Sequence, residues 1–191
     1  MKSGANDPPG WDYNPSSWPQ RMPIIVVGLL GYAIAQYLAL YQWRMINSVW
    51  EPFFGDGSER ILNSWVSQLL PISDAFLGAL SYLFDAVTGA IGGTKRWRTM
   101  PWVVLLMGLA VGPLGAVSIL LVILQPVLFD SWCSLCLASA ICSVVMIGPA
   151  MDEALASLQE LKRARRQGRS VWRAFWGIDS TFEAHPAIKG A

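Results

Sequence analysis

Hydrophobic positions in this chain gather into long runs that are separated by short polar segments. The three strongest runs are residues 23–43, 101–125 and 127–151. The first two contain no charged side chain, and the third contains only Asp130. Each reaches the ~20 residues that a helix needs to cross a bilayer core. A weaker run, residues 72–93, carries Asp74 and Asp85. The pattern predicts an all-α integral membrane protein, a four-transmembrane-helix bundle.

Basic residues indicate which side of the membrane each connection occupies. Residues 92–100 contain three of them, and six more lie between residues 162 and 173. Segments rich in Lys and Arg remain on the cytoplasmic side. Both termini are therefore expected inside, and the loop over residues 44–71 and the turn before Cys133 outside. We expect a bacterial plasma membrane, with membrane lipid as a partner and no binding of nucleic acid.

The polar segments divide the chain into three parts. Residues 1–22 are rich in Pro, Ser and Gly and predict an irregular tail. Residues 23–155 form the membrane domain, and residues 156–191 form a basic amphipathic tail on the cytoplasmic side. Within the outer loop, apolar residues recur every three or four positions from Ile61 to Leu70. That spacing predicts an amphipathic helix that caps the bundle.

Candidate chemistry lies in FDSWCSLCLASA, residues 129–140. On a helix, Cys133 and Cys136 would lie about 60° apart on one face, within reach of a disulfide after modest adjustment. Asp130 or Ser131 is expected to cap this helix, which puts Cys133 near the positive end of its dipole. Cys142, the third cysteine of the chain, falls on another face and is interpreted as a small buried hydrophobic residue.

The residues alone leave three interpretations of this pair. A structural zinc site needs about four ligands, whereas the lone His185 lies on the other side of the membrane. Two incidental small residues are a second possibility. A redox pair is the third, favoured by the outer location and by the helix N-terminus, where thiolates are stabilised. In the redox case electrons must come from a separate protein, because the outer loop contains no cysteine.

A polar stripe marks the weaker run. Its members fall within about 40° of one another on a helix; they are Asp74, Gly78, Ser81 and Asp85. Intramembrane carboxylates normally face the interior of a bundle. For Asp74, a helix cap and a ligand role are both open. For Asp85, we favour an interaction with Lys95, Arg96 or Arg98 near the cytoplasmic side.

At these residues the chain resembles the vitamin K epoxide reductase family, including its bacterial disulfide-forming members. The resemblance spans roughly residues 20–155 and rests on the four spans, the outer-loop helix and the CxxC at the start of the fourth span. The segment LPISDAFLGALSY reinforces it. There the family shows a polar residue, a Gly four positions later and a Tyr eight positions later, which correspond to Asp74, Gly78 and Tyr82.

The resemblance implies a quinone-dependent thiol–disulfide oxidoreductase. In the family the bundle holds a quinone, either vitamin K, ubiquinone or menaquinone, against the CxxC. Cys136 would face the quinone, and Cys133 would exchange with a thioredoxin-like or other dithiol protein at the outer face. The residues expected to contact the quinone are Asp74, Gly78, Ser81 and Tyr82.

The outer loop departs from the family pattern. Relatives usually carry two cysteines there, which relay electrons to the CxxC. In this chain Ser58 takes the place of the second, and a residue near Trp50 takes the place of the first. A partner's thiols would then reach Cys133 directly. The alternatives are a non-catalytic membrane module that acts in assembly, and a membrane protein that binds soft metals through the two sulfurs.

Overall fold

Helices joined by turns and irregular segments make up the described structure. The computed structural model describes residues 7–67 and 72–178, and no strand occurs among them. The helices are α1 (Trp18–Gln42), α2 (Gly57–Leu62), α3 (Asp74–Ala90), α4 (Arg96–Thr99), α5 (Pro101–Phe129), α6 (Ser134–Arg166) and α7 (Val171–Phe175). Three of the described helices, α1, α5 and α6, are long and apolar enough to cross a membrane. The prediction of an all-α membrane protein is confirmed to that extent.

The predicted second span corresponds to α3. This helix has 17 residues and is not among the three candidate spans. It begins where Ser73 accepts a hydrogen bond from the backbone N–H of Phe76, so that Ser73, and not Asp74, is the N-cap. A count of four spans therefore stays a prediction.

Close helix packing depends on small residues. A Cβ added at Gly31 of α1 would lie 2.6 Å from Cε1 of Tyr82 on α3. A Cβ added at Gly108 of α5 would lie 2.9 Å from Cβ of Ala154 on α6. Glycine at both positions lets the backbones approach, as small residues do between membrane helices. The core beneath them contains Ile24, Ala35, Ala79, Tyr82, Met107, Val111, Cys142, Met146 and Ala150.

Two buried arginines hold together the end of the bundle at which α3 ends, which we call the inner end because it is the end predicted to face the cytoplasm. Arg96 forms an ion pair with Glu153 of α6, and both side chains are almost fully buried. Arg96 also donates to the carbonyl oxygen of Ile91 over 2.9 Å. Arg21 of α1 donates to the carbonyl oxygen of Gly89 over 2.8 Å. The two guanidinium groups thus satisfy backbone oxygens at the C-terminal end of α3, where no intrahelical donor remains.

The expected contact between Asp85 and Arg96 is not found. The guanidinium of Arg96 points to Glu153, which lies on a neighbouring helix and offers both carboxylate oxygens. Asp85 is buried, and its Oδ1 has no hydrogen-bond partner among the described residues.

The N-terminal segment packs against the inner half of α6. Tyr13 donates to Asp152 over 2.7 Å, and Trp11 donates to Gln159 over 2.8 Å. The hydrogen bond to Asp152 is the main reason that the pKa of Tyr13 is raised to about 12. Ser16 donates to Glu153 and therefore joins the segment to the buried ion pair.

The loop over residues 44–71, which we call the outer loop because it is predicted to lie outside, contains a shorter helix than its pattern predicts. We expect a helix that extends to Leu70, whereas α2 ends at Leu62 and residues 63–67 form turns. Asn63 ends α2, because its side-chain Nδ2 donates to the carbonyl of Glu59 and to the hydroxyl of Tyr41. Residues 68–71, the end of the predicted helix, lie outside the described residues.

Replacing Glu153 with Gln tests the buried ion pair. The substitution leaves the Arg96 charge buried without its carboxylate, and we expect a loss of about 3–5 kcal/mol in the free energy of unfolding. Unfolding in detergent, followed by tryptophan fluorescence, measures the change. Asp56→Asn is the control, because Asp56 pairs with Arg60 at the surface and should cost less than about 1 kcal/mol. Equal losses in the two variants would contradict the prediction.

Candidate functional site

A disulfide forms the beginning of α6. Cys133 and Cys136 are joined, with their Cα atoms 5.2 Å apart. The backbone of Asp130 adopts the left-handed conformation at the end of α5, with φ of 45°, and the chain then turns into α6. The expectation that Asp130 or Ser131 caps α6 is wrong. Cys133 is the N-cap residue, and its sulfur accepts a hydrogen bond from the N–H of Cys136 over 3.1 Å.

The two sulfurs have different surroundings. Cys133 has no exposed surface, and its backbone N–H donates to Oε1 of the buried Gln125 over 3.0 Å. Cys136 is half-buried and packs against an apolar cluster formed by Leu38, Val49 and Leu62. Cys136 therefore faces α1 and the outer loop, and Cys133 lies beneath a segment that covers it.

The outer loop supplies this cover. A Cβ added at Gly57 would lie 2.1 Å from the carbonyl oxygen of Trp132, so the loop backbone approaches the residue before Cys133 closely. Next to it, the fully buried Ser58 donates to the carboxylate of Glu51. Ser134 donates to the same carboxylate twice, through its hydroxyl group and, over 3.0 Å, through its backbone N–H.

Glu51 is the functional candidate that the sequence did not single out. Partial burial raises its pKa, but the hydrogen bonds from Ser134 and Ser58 outweigh burial and lower that pKa to about 2. Glu51 is therefore ionised at any physiological pH, with its charge at the positive end of α6. The sequence offered one signal for Glu51. It lies next to Trp50, near which the resemblance puts a cysteine that this chain lacks.

Polar side chains join the outer ends of α1 and α3. The carboxylate of Asp74 accepts from Nε2 of Gln42 over 2.5 Å and from the hydroxyl of Ser67 over 2.9 Å. Ser73 donates to Oε1 of Gln42. Asp74 is therefore part of a network that connects α1, the outer loop and the first turn of α3.

A cavity of about 730 Å³ opens beside this network. Gln42, Ser67 and Ser73 line its polar side. Leu62 and Tyr41 line it as well, and both also belong to the cluster around Cys136. The cavity is therefore large enough for a small organic ligand, and two of its lining residues belong to the apolar cluster against which Cys136 packs.

The remaining members of the predicted ligand set lie further along α3. Gly78 is half-buried, and a Cβ added to it would meet only the Cβ of Ala35, at 3.9 Å. Ser81 donates to the carbonyl of Gly78 over 2.7 Å. Tyr82 is buried, and its hydroxyl donates to the carbonyl of Ser139, one turn along α6 from Cys136. The four residues therefore follow one another along α3, and only Asp74 lies in the network beside the cavity.

The described part of the chain contains no candidate metal site. No group of three or more His, Cys, Asp or Glu residues comes together in residues 7–67 and 72–178. Cys142 is free and buried, as the sequence predicts. His185 lies outside the described residues.

Comparison with known proteins gives one match. The family model described as "Vitamin K epoxide reductase family" matches residues 22–150, which is more than half of the chain. No curated protein matches the chain, and no solved structure matches it.

Counting reactive thiols in the denatured protein tests the disulfide. We expect one maleimide to react per chain without reduction and three after reduction, because Cys142 is the only cysteine outside the bond. Intact-protein mass spectrometry gives the count. A Cys142→Ala variant should show none before reduction and two afterwards. Three labels on the unreduced chain would contradict the disulfide.

Proposed function

Because the chain belongs to the vitamin K epoxide reductase family, whose members are quinone-linked membrane thiol–disulfide oxidoreductases, we propose that it moves electrons from a dithiol protein to a quinone. The disulfide at the start of α6 carries the proposal. A partner thiolate attacks Cys133 and forms a mixed disulfide, while the Cys133–Cys136 bond breaks and Cys136 leaves as a thiolate. The partner's second thiol then displaces Cys133, and the partner leaves as a disulfide. The reduced pair then holds two electrons and two protons, and passes them to a quinone as the bond re-forms.

The opposite surroundings of the two sulfurs support this division of roles. Cys136 lies against the apolar cluster that borders the cavity, so it is the sulfur that faces a ligand in the bundle. Cys133 lies under the outer loop. An incoming thiol therefore requires the loop to move away from the start of α6, and a quinone bound in the cavity requires no such movement.

The proposed quinone site combines the cavity with the stripe along α3. The quinone supplies a two-electron, two-proton acceptor when it is bound. Its carbonyl oxygens need hydrogen-bond donors, and the Gln42 amide beside Asp74 offers one. Gly78 leaves open space along α3, Ser81 belongs to the same polar stripe, and Tyr82 is the next residue of α3.

The proposal also assigns the two ends of the bundle to the two sides of the membrane. The inner end of the bundle carries Arg21, Arg96 and the basic end of α6, whereas the CxxC lies at the other end of α6. We assign the basic end to the cytoplasm of a bacterium, α3 to a fourth span, and the CxxC to the outer face, where a thioredoxin-like dithiol protein can reach it.

Replacing Cys136 with Ala is the direct test. Without Cys136 the disulfide cannot re-form, so we expect quinone reduction by dithiothreitol to fall at least a hundredfold. Reduction of a soluble ubiquinone analogue by the purified protein, followed by ultraviolet absorbance, measures the rate. The buried Cys142 gives the matched control, and Cys142→Ala should retain the wild-type rate.

An assembly module would give the opposite outcome. If the wild type and Cys136→Ala are equally inactive while both fold, the chain keeps the architecture of the family without its turnover.

A bulky side chain at position 78 tests the quinone site. Only Ala35 lies near a Cβ at this position, so Gly78→Leu should fold and fill the space along α3. We expect the KM for the quinone analogue to rise at least tenfold, and reduction of the Cys133–Cys136 bond by dithiothreitol to remain unchanged. Gly148→Leu on α6, where a Cβ meets nothing within 4 Å, is the control. An unchanged KM would exclude Gly78 from the site.

A further inference from the structure

The backbone N–H groups in the first turn of α6 are divided between two acceptors. The sulfur of Cys133 accepts from Cys136, and the carboxylate of Glu51 accepts from Ser134. Helix N-termini stabilise negative charge through these groups. A thiolate at Cys133 would therefore share the end of α6 with a carboxylate that is already bound there.

We propose that Glu51 is a positioning residue that opposes thiolate formation at Cys133 and so keeps the Cys133–Cys136 pair in its disulfide form. The proposal rests on the exchange of electrons at this pair that is proposed above. Its physical basis is the repulsion between a negative charge on Cys133 and the Glu51 carboxylate, which is bound to the adjacent Ser134 at the same helix end. A stable thiolate makes a disulfide easier to reduce, whereas a disfavoured thiolate makes it harder to reduce.

The contacts of Glu51 fix its charge close to the pair. Three hydrogen bonds, from Ser58 and from the hydroxyl and N–H of Ser134, hold its carboxylate at the residue next to Cys133. Phe53 donates a fourth, weaker one over 3.3 Å. Such a carboxylate cannot turn towards water without breaking these bonds.

The other charged groups of this region have partners elsewhere or are exposed. Glu59 accepts from the N–H of Val49, and Asp56 pairs with Arg60 on α2. Asp130 is exposed at the end of α5, and Asp74 belongs to the network on α3. Glu51 is therefore the carboxylate that contacts the first turn of α6, and its removal is the change that acts on Cys133.

Redox titration of the purified full-length protein tests the proposal. Wild type and Glu51→Gln are equilibrated with oxidised and reduced dithiothreitol, and the reduced fraction is read from maleimide labelling. At pH 9, where thiolates form, we expect the equilibrium constant for reduction to rise by up to about tenfold in Glu51→Gln, because the carboxylate at this partly buried helix end no longer opposes the thiolate. For this two-electron couple, tenfold corresponds to about 30 mV.

Two matched variants separate charge from structure. Asp56→Asn removes a carboxylate from the same loop without touching α6 and should leave the constant within about twofold of the wild type. Ser58→Ala removes one hydrogen bond of Glu51 but keeps its charge, and should also stay within about twofold. An effect of Ser58→Ala as large as that of Glu51→Gln would overturn the proposal, because loop docking would then be the cause.

The pH dependence gives a second readout. The difference between Glu51→Gln and the wild type should grow as the pH rises towards 9, because only a thiolate is repelled by the Glu51 carboxylate, and it should be smallest near pH 5. Glu51 itself stays ionised over this range, because hydrogen bonding lowers its pKa to about 2. A difference that is independent of pH, or a constant that falls in Glu51→Gln, would overturn the proposal. The titration uses neither quinone nor partner, so it gives a result even if the proposed turnover fails.

Discussion

The backbone groups that a helix leaves unpaired at its two ends constrain this whole structure. In an apolar environment each such group costs several kcal/mol unless a side chain satisfies it. At the inner end of α3, Arg21 and Arg96 donate hydrogen bonds to the unpaired carbonyl oxygens, and Glu153 neutralises the charge of Arg96. At the outer end of α6, Cys133 and Glu51 accept hydrogen bonds from the unpaired N–H groups. Charged or reactive groups are therefore buried at both ends because the helices require partners there.

This constraint couples the redox pair to the fold. Cys133 is at once the N-cap of α6 and one half of the disulfide. When the bond breaks, the cap changes from a disulfide sulfur to a thiol or thiolate, which accepts hydrogen bonds with a different strength. Glu51 binds the outer loop to Ser134, the residue next to Cys133. A change at Cys133 therefore acts on this contact directly. In the proposed reaction, reduction of the pair would therefore act directly on the contacts that hold the loop in place.

The sequence predicted the parts of the structure that depend on local or averaged properties. Long apolar runs identify α1, α5 and α6, because lipid demands an uninterrupted apolar surface. The spacing of two cysteines puts them within reach of a disulfide, although the residues alone left a metal site and an incidental pair open. Partners that are distant along the chain were not predictable in this way. Arg96 and Glu153 are 57 positions apart, and Glu51 and Ser134 are 83 positions apart. The outer loop offers several carboxylates, and only the folded arrangement distinguishes Glu51 from Asp56 and Glu59.

These contacts show what takes the place of the absent loop cysteines. In the family pattern a thiol near position 58 would relay electrons to the CxxC. Here Ser58 is buried against Glu51, and Glu51 is bound to the residue beside Cys133. A hydroxyl and a carboxylate preserve the docking of the loop but cannot accept electrons. In the proposed reaction the loop therefore covers Cys133 instead of relaying electrons, and a dithiol protein has to displace the loop to reach Cys133.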